Sequence, residues 1–153
     1  MVNFFCPVNT LGYGVHSYNL MKELDKLAVD IALYPVSNNL EFHNTLIEKW
    51  MNNQKKFSKD NLGVMIFHEQ HMNRFYGKVR IGFPVFELDL LSKDIEMLKT
   101  LDFILQTSEY FKSYLNRIGF NNVFVVPEGY DEELFNPNRV SLDEKKKILD
   151  EKG

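Results

Sequence analysis

Residues 2–36 read VNFFCPVNTLGYGVHSYNLMKELDKLAVDIALYPV, and the order of patterns within them decides the fold. An apolar run too short for a helix (residues 2–7) meets a pair of glycines, then a stretch of helical period, then a second apolar run (residues 31–36). Strand, tight turn, helix and strand in that order form the repeating unit of a parallel sheet. Further short runs rich in Val, Ile and Phe follow at residues 62–67, 79–83, 102–106 and 123–126. None alternates apolar with polar as a half-exposed strand does, so both faces of the sheet are expected to be covered. The expected fold is α/β: a Rossmann-like doubly wound parallel sheet of about six strands with helices on both faces.

The segments between the runs supply the helices. Val15, Tyr18, Met21, Leu24 and Leu27 recur every third residue and predict one stripe of a first helix against the sheet. Phe42, Leu46, Ile47, Trp50, Met51 and Phe57 predict a second, opened by Asn38 and Glu41, and Leu91, Ile95, Leu98 and Leu101 a third, opened by Ser92. Phe111, Leu115 and Ile118 line a fourth, stopped by Gly119. After Pro137 the composition turns to charge: Ser141-Leu142-Asp143-Glu144 is a capping box, and the four acids and four bases from Ser141 to Gly153 cancel. The expected organisation is a Rossmann-like domain over residues 1–137 and a charged helical tail or connector over residues 138–153.

Composition narrows the function. With 153 residues, 44% of them hydrophobic and 25% charged, the chain suits a single packed domain. Its 13 Phe, 7 Tyr and 1 Trp carry too much apolar surface to leave in water. A net charge of −3 argues against nucleic acid as a partner. The one cysteine, Cys6, sits in an apolar run and reads as buried packing in a reducing, cytoplasmic compartment, with a reactive thiol as the minor alternative. The start Met1-Val2-Asn3-Phe4-Phe5 lacks a basic leader, and no apolar run reaches membrane-spanning length. Trp50 with Lys49, Lys55, Lys56 and Lys59 leaves a peripheral membrane contact open against the simpler reading of Trp50 as core.

Chemistry-bearing residues gather at expected strand ends. Asn9-Thr10-Leu11-Gly12-Tyr13-Gly14 joins the first strand to the first helix, where two glycines let helix N–H groups face an anion or merely make a turn. Ser17 stands where a dinucleotide fingerprint has its third glycine, and Tyr34-Pro35-Val36-Ser37-Asn38 lacks the acidic residue that would follow the second strand. No Gly-Lys-Ser/Thr follows, so neither NAD, FAD nor a P-loop is indicated. His68-Glu69-Gln70-His71 ends the third strand; it lacks zincin spacing and a third ligand, so no metal is expected, and His68 with Glu69 is the better site candidate. His16, in the first helical turn, either meets a ligand or faces solvent; His43 reads as surface. Glu87 and Asp89 follow the fourth strand as paired carboxylates, with Asp89 equally able to cap the next helix.

Residues 82–137 then present Phe86-Glu87, an Asp102-led strand ending in Ser108-Glu109, a helix closed by Gly119, Val126-Pro127-Glu128-Gly129-Tyr130-Asp131 and Phe135-Asn136-Pro137. In that order and spacing the segment resembles the second half of the N-terminal domain of GT-B retaining glycosyltransferases of the family 4, or group 1, type. The resemblance implies an acceptor-binding domain facing a C-terminal nucleotide-sugar domain across a cleft, with a nucleotide sugar as donor substrate and no resident cofactor. It implies further that Gly12, Tyr13 and Gly14 approach the donor phosphates and that His68 sits by the transferred sugar as the catalytic candidate. His16, Glu69, Glu87 and Asp89 fall on the acceptor side, and Pro127, Glu128, Gly129 and Asp131 lead to the interdomain hinge. The family's donor domain carries two Glu with seven residues between them, a spacing no pair of Glu here has. The chain is therefore expected to be the N-terminal half, inactive without a partner domain. A non-catalytic α/β module that binds a sugar or nucleotide is the alternative, and self-association stays open.

Overall fold

The structure, a computed structural model, describes residues 1–36, 44–86, 92–130 and 141–152. Its strands are β1 (Val2–Cys6), β2 (Ile31–Pro35), β3 (Leu62–His68), β4 (Arg80–Val85), β5 (Phe103–Gln106) and β6 (Val123–Val125). Every ladder is parallel, and the spatial order is β2-β1-β3-β4-β5-β6. The fold is thus the expected Rossmann-like α/β sheet. The chain reverses direction at β1: β2 lies on one side, and β3 and all later strands on the other, which makes the carboxyl ends of β1 and β3 the topological switch point.

Helices α1 (Gly12–Lys26) and α2 (Thr45–Asn52) pack on one face, α3 (Ser92–Leu98) and α4 (Glu109–Arg117) on the other, and α5 (Leu142–Lys152) follows a Ser141–Glu144 capping box in which each residue's side chain accepts from the other's backbone N–H. Successive strand residues serve opposite faces. Phe4, Cys6, Val64, Ile66 and Phe83 join Met21, Ile47 and Trp50 in the first core, while Met65 and Ile104 join Leu98 and Leu115 in the second. Cys6 is fully buried in the first core, where burial pushes its thiol up to about 12 against the smaller opposing effect of a hydrogen bond with Ser17.

Several expectations change. In α1 Met21 is buried with Tyr18 and Leu24 packed beside it, as expected, but Gly14 and Ser17 join the buried side and Val15 and Leu27 are exposed. A strict three-residue stripe loses about 60° per step on a helix of 3.6 residues per turn, so it drifts off the buried face within a few turns. The second helix starts at Asn44, whose side chain accepts from the Ile47 N–H at 3.0 Å, and ends before Phe57, which lies exposed with its ring edge-on to Tyr34. Asn38, Glu41, Phe42, His43, Leu91 and residues 134–137 lie outside the described residues. Gly119 closes α4 as expected, with φ at +102°.

The link from β3 to β4, residues 69–79, holds a single 3-10 turn (Glu69–His71) and no α-helix. Met72 and Phe75, both buried, take the helix's place against the second core, and Arg80 clamps the connector by donating to the carbonyls of Met72 and Thr100. Helices lie on both faces of the sheet, but the second face over β1 and β2 carries none among the described residues.

Trp50 is fully buried in the first core, which removes it from the membrane patch considered above. Its indole N–H donates to Asp25 Oδ1 at 3.0 Å, and Lys49 Nζ reaches the same oxygen at 2.7 Å. Those hydrogen bonds hold the Asp25 carboxyl below its ordinary value. Trp50→Phe removes a hydrogen bond to a charged acceptor along with buried ring area, and is expected to cost about 2 kcal/mol in urea unfolding at pH 7. A folded-state carboxyl held low stabilises above its unfolded value and loses that contribution in acid, so the difference between wild type and variant is expected to shrink as pH falls below 3.8.

Candidate functional site at the switch point

The carboxyl ends of β1 and β3 bring the glycine loop and the histidine turn side by side. After β1, Asn9 accepts from the Leu11 N–H through Oδ1 at 3.1 Å, an Asx turn that sets the loop, and Ser17 Oγ donates to the Tyr13 carbonyl at 2.7 Å. No side chain caps α1 at Leu11, and its first turn has no acidic residue, so the positive end of a 15-residue helix is not neutralised by its own first turn. The two glycines differ in role. A Cβ on Gly14 would strike the backbone and Oδ1 of Asn9, so Gly14 is fixed by loop packing; a Cβ on Gly12 would meet nothing within 4 Å.

His68, the last residue of β3, is half-buried and lies edge-on to the Tyr13 ring, with centroids 5.1 Å apart. The two elements singled out in the sequence therefore touch. Glu69 follows in the 3-10 turn, half-buried, with Oε2 buried and lacking a hydrogen-bond partner. Pro127 and Gly129 are exposed on the segment after β6, and Glu87, Asp89 and Asp131 lie outside the described residues.

His16 settles between the two roles first considered for it. One helical turn into α1, it stands edge-on to Phe83, 4.9 Å between centroids, and its Nδ1 is 3.0 Å from Glu128 Oε1. Glu128, expected at a hinge, thus ties the segment after β6 back to α1. Burial pushes the His16 imidazole below its ordinary value, and the attraction of Glu128 opposes this only in part. The contact at neutral pH is therefore a hydrogen bond from the neutral ring's Nδ1–H to a carboxylate, which fixes the tautomer and leaves Nε2 a bare acceptor. That Nε2 is buried without a hydrogen-bond partner.

His71 stacks on Phe67, 5.1 Å between centroids at 22°, and lies on the other side of the sheet from Tyr13. Burial lowers its value, helped by Arg74 and His68 and opposed by Glu69. Among the described residues, no three His, Cys, Asp or Glu come together to hold a metal ion, and no helix is long and apolar enough to cross a membrane. The His16–Glu128 contact escaped the sequence reading because nothing local links positions so far apart in the chain.

The arrangement offers backbone N–H groups and a helix dipole on one side, an imidazole on the other and an aromatic ring between them. It is suited to an anionic group beside a polar, ring-shaped one. No family model, no curated protein and no solved structure matches the chain.

Two measurements follow from this geometry. Gly14→Ala is expected to lower stability by about 1–3 kcal/mol, the range for overpacking a tight contact, while Gly12→Ala leaves the melting temperature unchanged; equal losses would show that the loop is uniformly packed. A histidine held below 6.5 takes up its proton later when folded than when unfolded. Its contribution is therefore intact above pH 6.5 and falls as pH drops through the folded value. Urea midpoints are expected to fall from pH 7.5 toward 5, less steeply in His16→Gln and more steeply in Glu128→Gln, which removes the charge that pulls His16 upward.

Proposed function

We propose that the chain is the acceptor-side half of a GT-B retaining glycosyltransferase of the family 4 type, working with a donor-binding domain outside these residues. The observation that carries this reading is the contact between the Gly12–Gly14 loop and His68 across the switch point, where a nucleotide sugar's diphosphate and hexose would lie side by side. As the bond between the sugar and the diphosphate breaks, negative charge grows on the phosphate oxygens. The N–H groups and dipole of α1 are placed to offset it without reorganising. His68 and the Tyr13 ring flank the position of the sugar. The second wall, closing over both substrates, supplies orientation and excludes water.

Titration calorimetry with UDP-, GDP- and ADP-sugars, with product assays alongside, tests the reading. The 153-residue chain alone is expected to bind each more weakly than about micromolar and to turn over none, because base and ribose contacts lie in the donor half. Joined to a matching donor domain it is expected to transfer sugar, and His68→Ala to reduce that transfer on the order of a hundredfold. Sub-micromolar binding or turnover by the chain alone would overturn the division of labour. Sugar binding without transfer in the joined protein would favour a binding module.

A further inference from the structure

The sheet face opposite α1 holds a second feature that the proposed function does not use. Where the β3-to-β4 link lacks a helix, a half-open hollow of about 330 Å³ lies against β1, β2 and β3. Its volume falls at the lower end of those that bind small molecules. Phe5, Tyr34, Met65 and Phe67 contribute to its walls, and His71 and Arg74 supply its titratable groups.

Flat surfaces dominate it. Phe5 and Tyr34 stack at 4.9 Å and 18°, and Phe67 and His71 stack at 5.1 Å and 22°. The Tyr34 hydroxyl is engaged elsewhere, with the Gln54 carbonyl at 3.4 Å, so Tyr34 serves the hollow as a ring. His71 Nδ1 is buried with no hydrogen-bond partner, an unmet polar atom in an otherwise apolar setting. Arg74 is exposed, and none of the residues lining the hollow carries a carboxylate. Apolar rings hold water poorly, whereas an aromatic guest gains both area and stacking. A guanidinium at such a place recognises a carboxylate or phosphate in a planar, two-pronged way.

We propose that this hollow binds a planar aromatic ligand bearing an anionic group, its ring against the Phe5–Tyr34 and Phe67–His71 stacks and its charge on Arg74. The site is separate from the switch-point crevice, since it opens on the other face of the sheet.

Chemical-shift mapping of the ¹⁵N-labelled chain with three probes tests it: 2-naphthoate (flat and anionic), 2-naphthol (flat and neutral) and cyclohexanecarboxylate (anionic, without an aromatic ring). The expected result is saturable binding, tightest for 2-naphthoate, with shifts centred on the amides of Tyr34, Val36 and Phe67. Arg74→Gln, at an exposed side chain, is expected to weaken 2-naphthoate roughly fivefold, the worth of one partly exposed ion pair, and to leave 2-naphthol unchanged. Val36→Trp, filling the hollow, is expected to abolish all binding; should that variant lose its circular dichroism signature, Arg74→Gln decides alone. No saturation, shifts centred on Gly12–Gly14, or equal affinity of wild type and Arg74→Gln for 2-naphthoate would overturn the proposal.

Discussion

With β2 hydrogen-bonded along one edge of β1, the only edge of β1 left for β3 is the opposite one. That constraint organises the molecule. Parallel crossovers keep one hand, so reversing the direction of travel across the sheet moves the helices to the other face. Thus α1, which carries the chain from β1 out to β2, covers one side, and α3 and α4, which carry it the other way, cover the other; α2 does not follow this rule and lies beside α1, its following turn bonded to the carbonyls of β2. The reversal also separates the connections leaving β1 and β3, and the crevice between them collects Gly12, Tyr13, His16 and His68. Residues distant in sequence become neighbours there because the backbone ladder leaves them no other place.

The strands were legible because each is paired and packed on terms a short apolar run can state by itself. The face of α1 was legible in part: Tyr18, Met21 and Leu24 pack on the first core as their recurrence implied, whereas Gly14 and Ser17 carry no apolar signal and Val15 and Leu27 fall off the buried side. The β3-to-β4 link was opaque for another reason: Met72 and Phe75 are isolated apolar residues in a stretch without period, and only their position over the second core reveals that they replace a helix. The glycine loop and His68 were readable as candidate site residues from their places at strand ends, and the fold does bring Tyr13 and His68 together. The pairing of His16 with Glu128, and a hollow built from alternate residues of three strands, depend on three-dimensional register and left no local trace.

Each face of the sheet buries polar groups and meets only some of them. On the first, Asp25 gathers Trp50 and Lys49, and Glu128 holds His16 Nδ1, while His16 Nε2 stays buried without a hydrogen-bond partner. On the second, His71 and Arg80 each keep a buried nitrogen without a hydrogen-bond partner, although Arg80's remaining donors hold the carbonyls of the helix-free link.

Cys6 turns the central position of β1 into a clock. It is the chain's only cysteine, fully buried, with a thiol pushed up to about 12, so almost none of it is thiolate while the sheet is intact. A thiol reagent attacks the ionised, accessible form. Because the Cys6 side chain faces the first core beside Ser17, exposing it means lifting α1 from the sheet. The rate of alkylation therefore counts openings of the first core over the carboxyl end of β1, separately from fraying at β6 or α5, with no label introduced and no second sulfhydryl to confuse the signal.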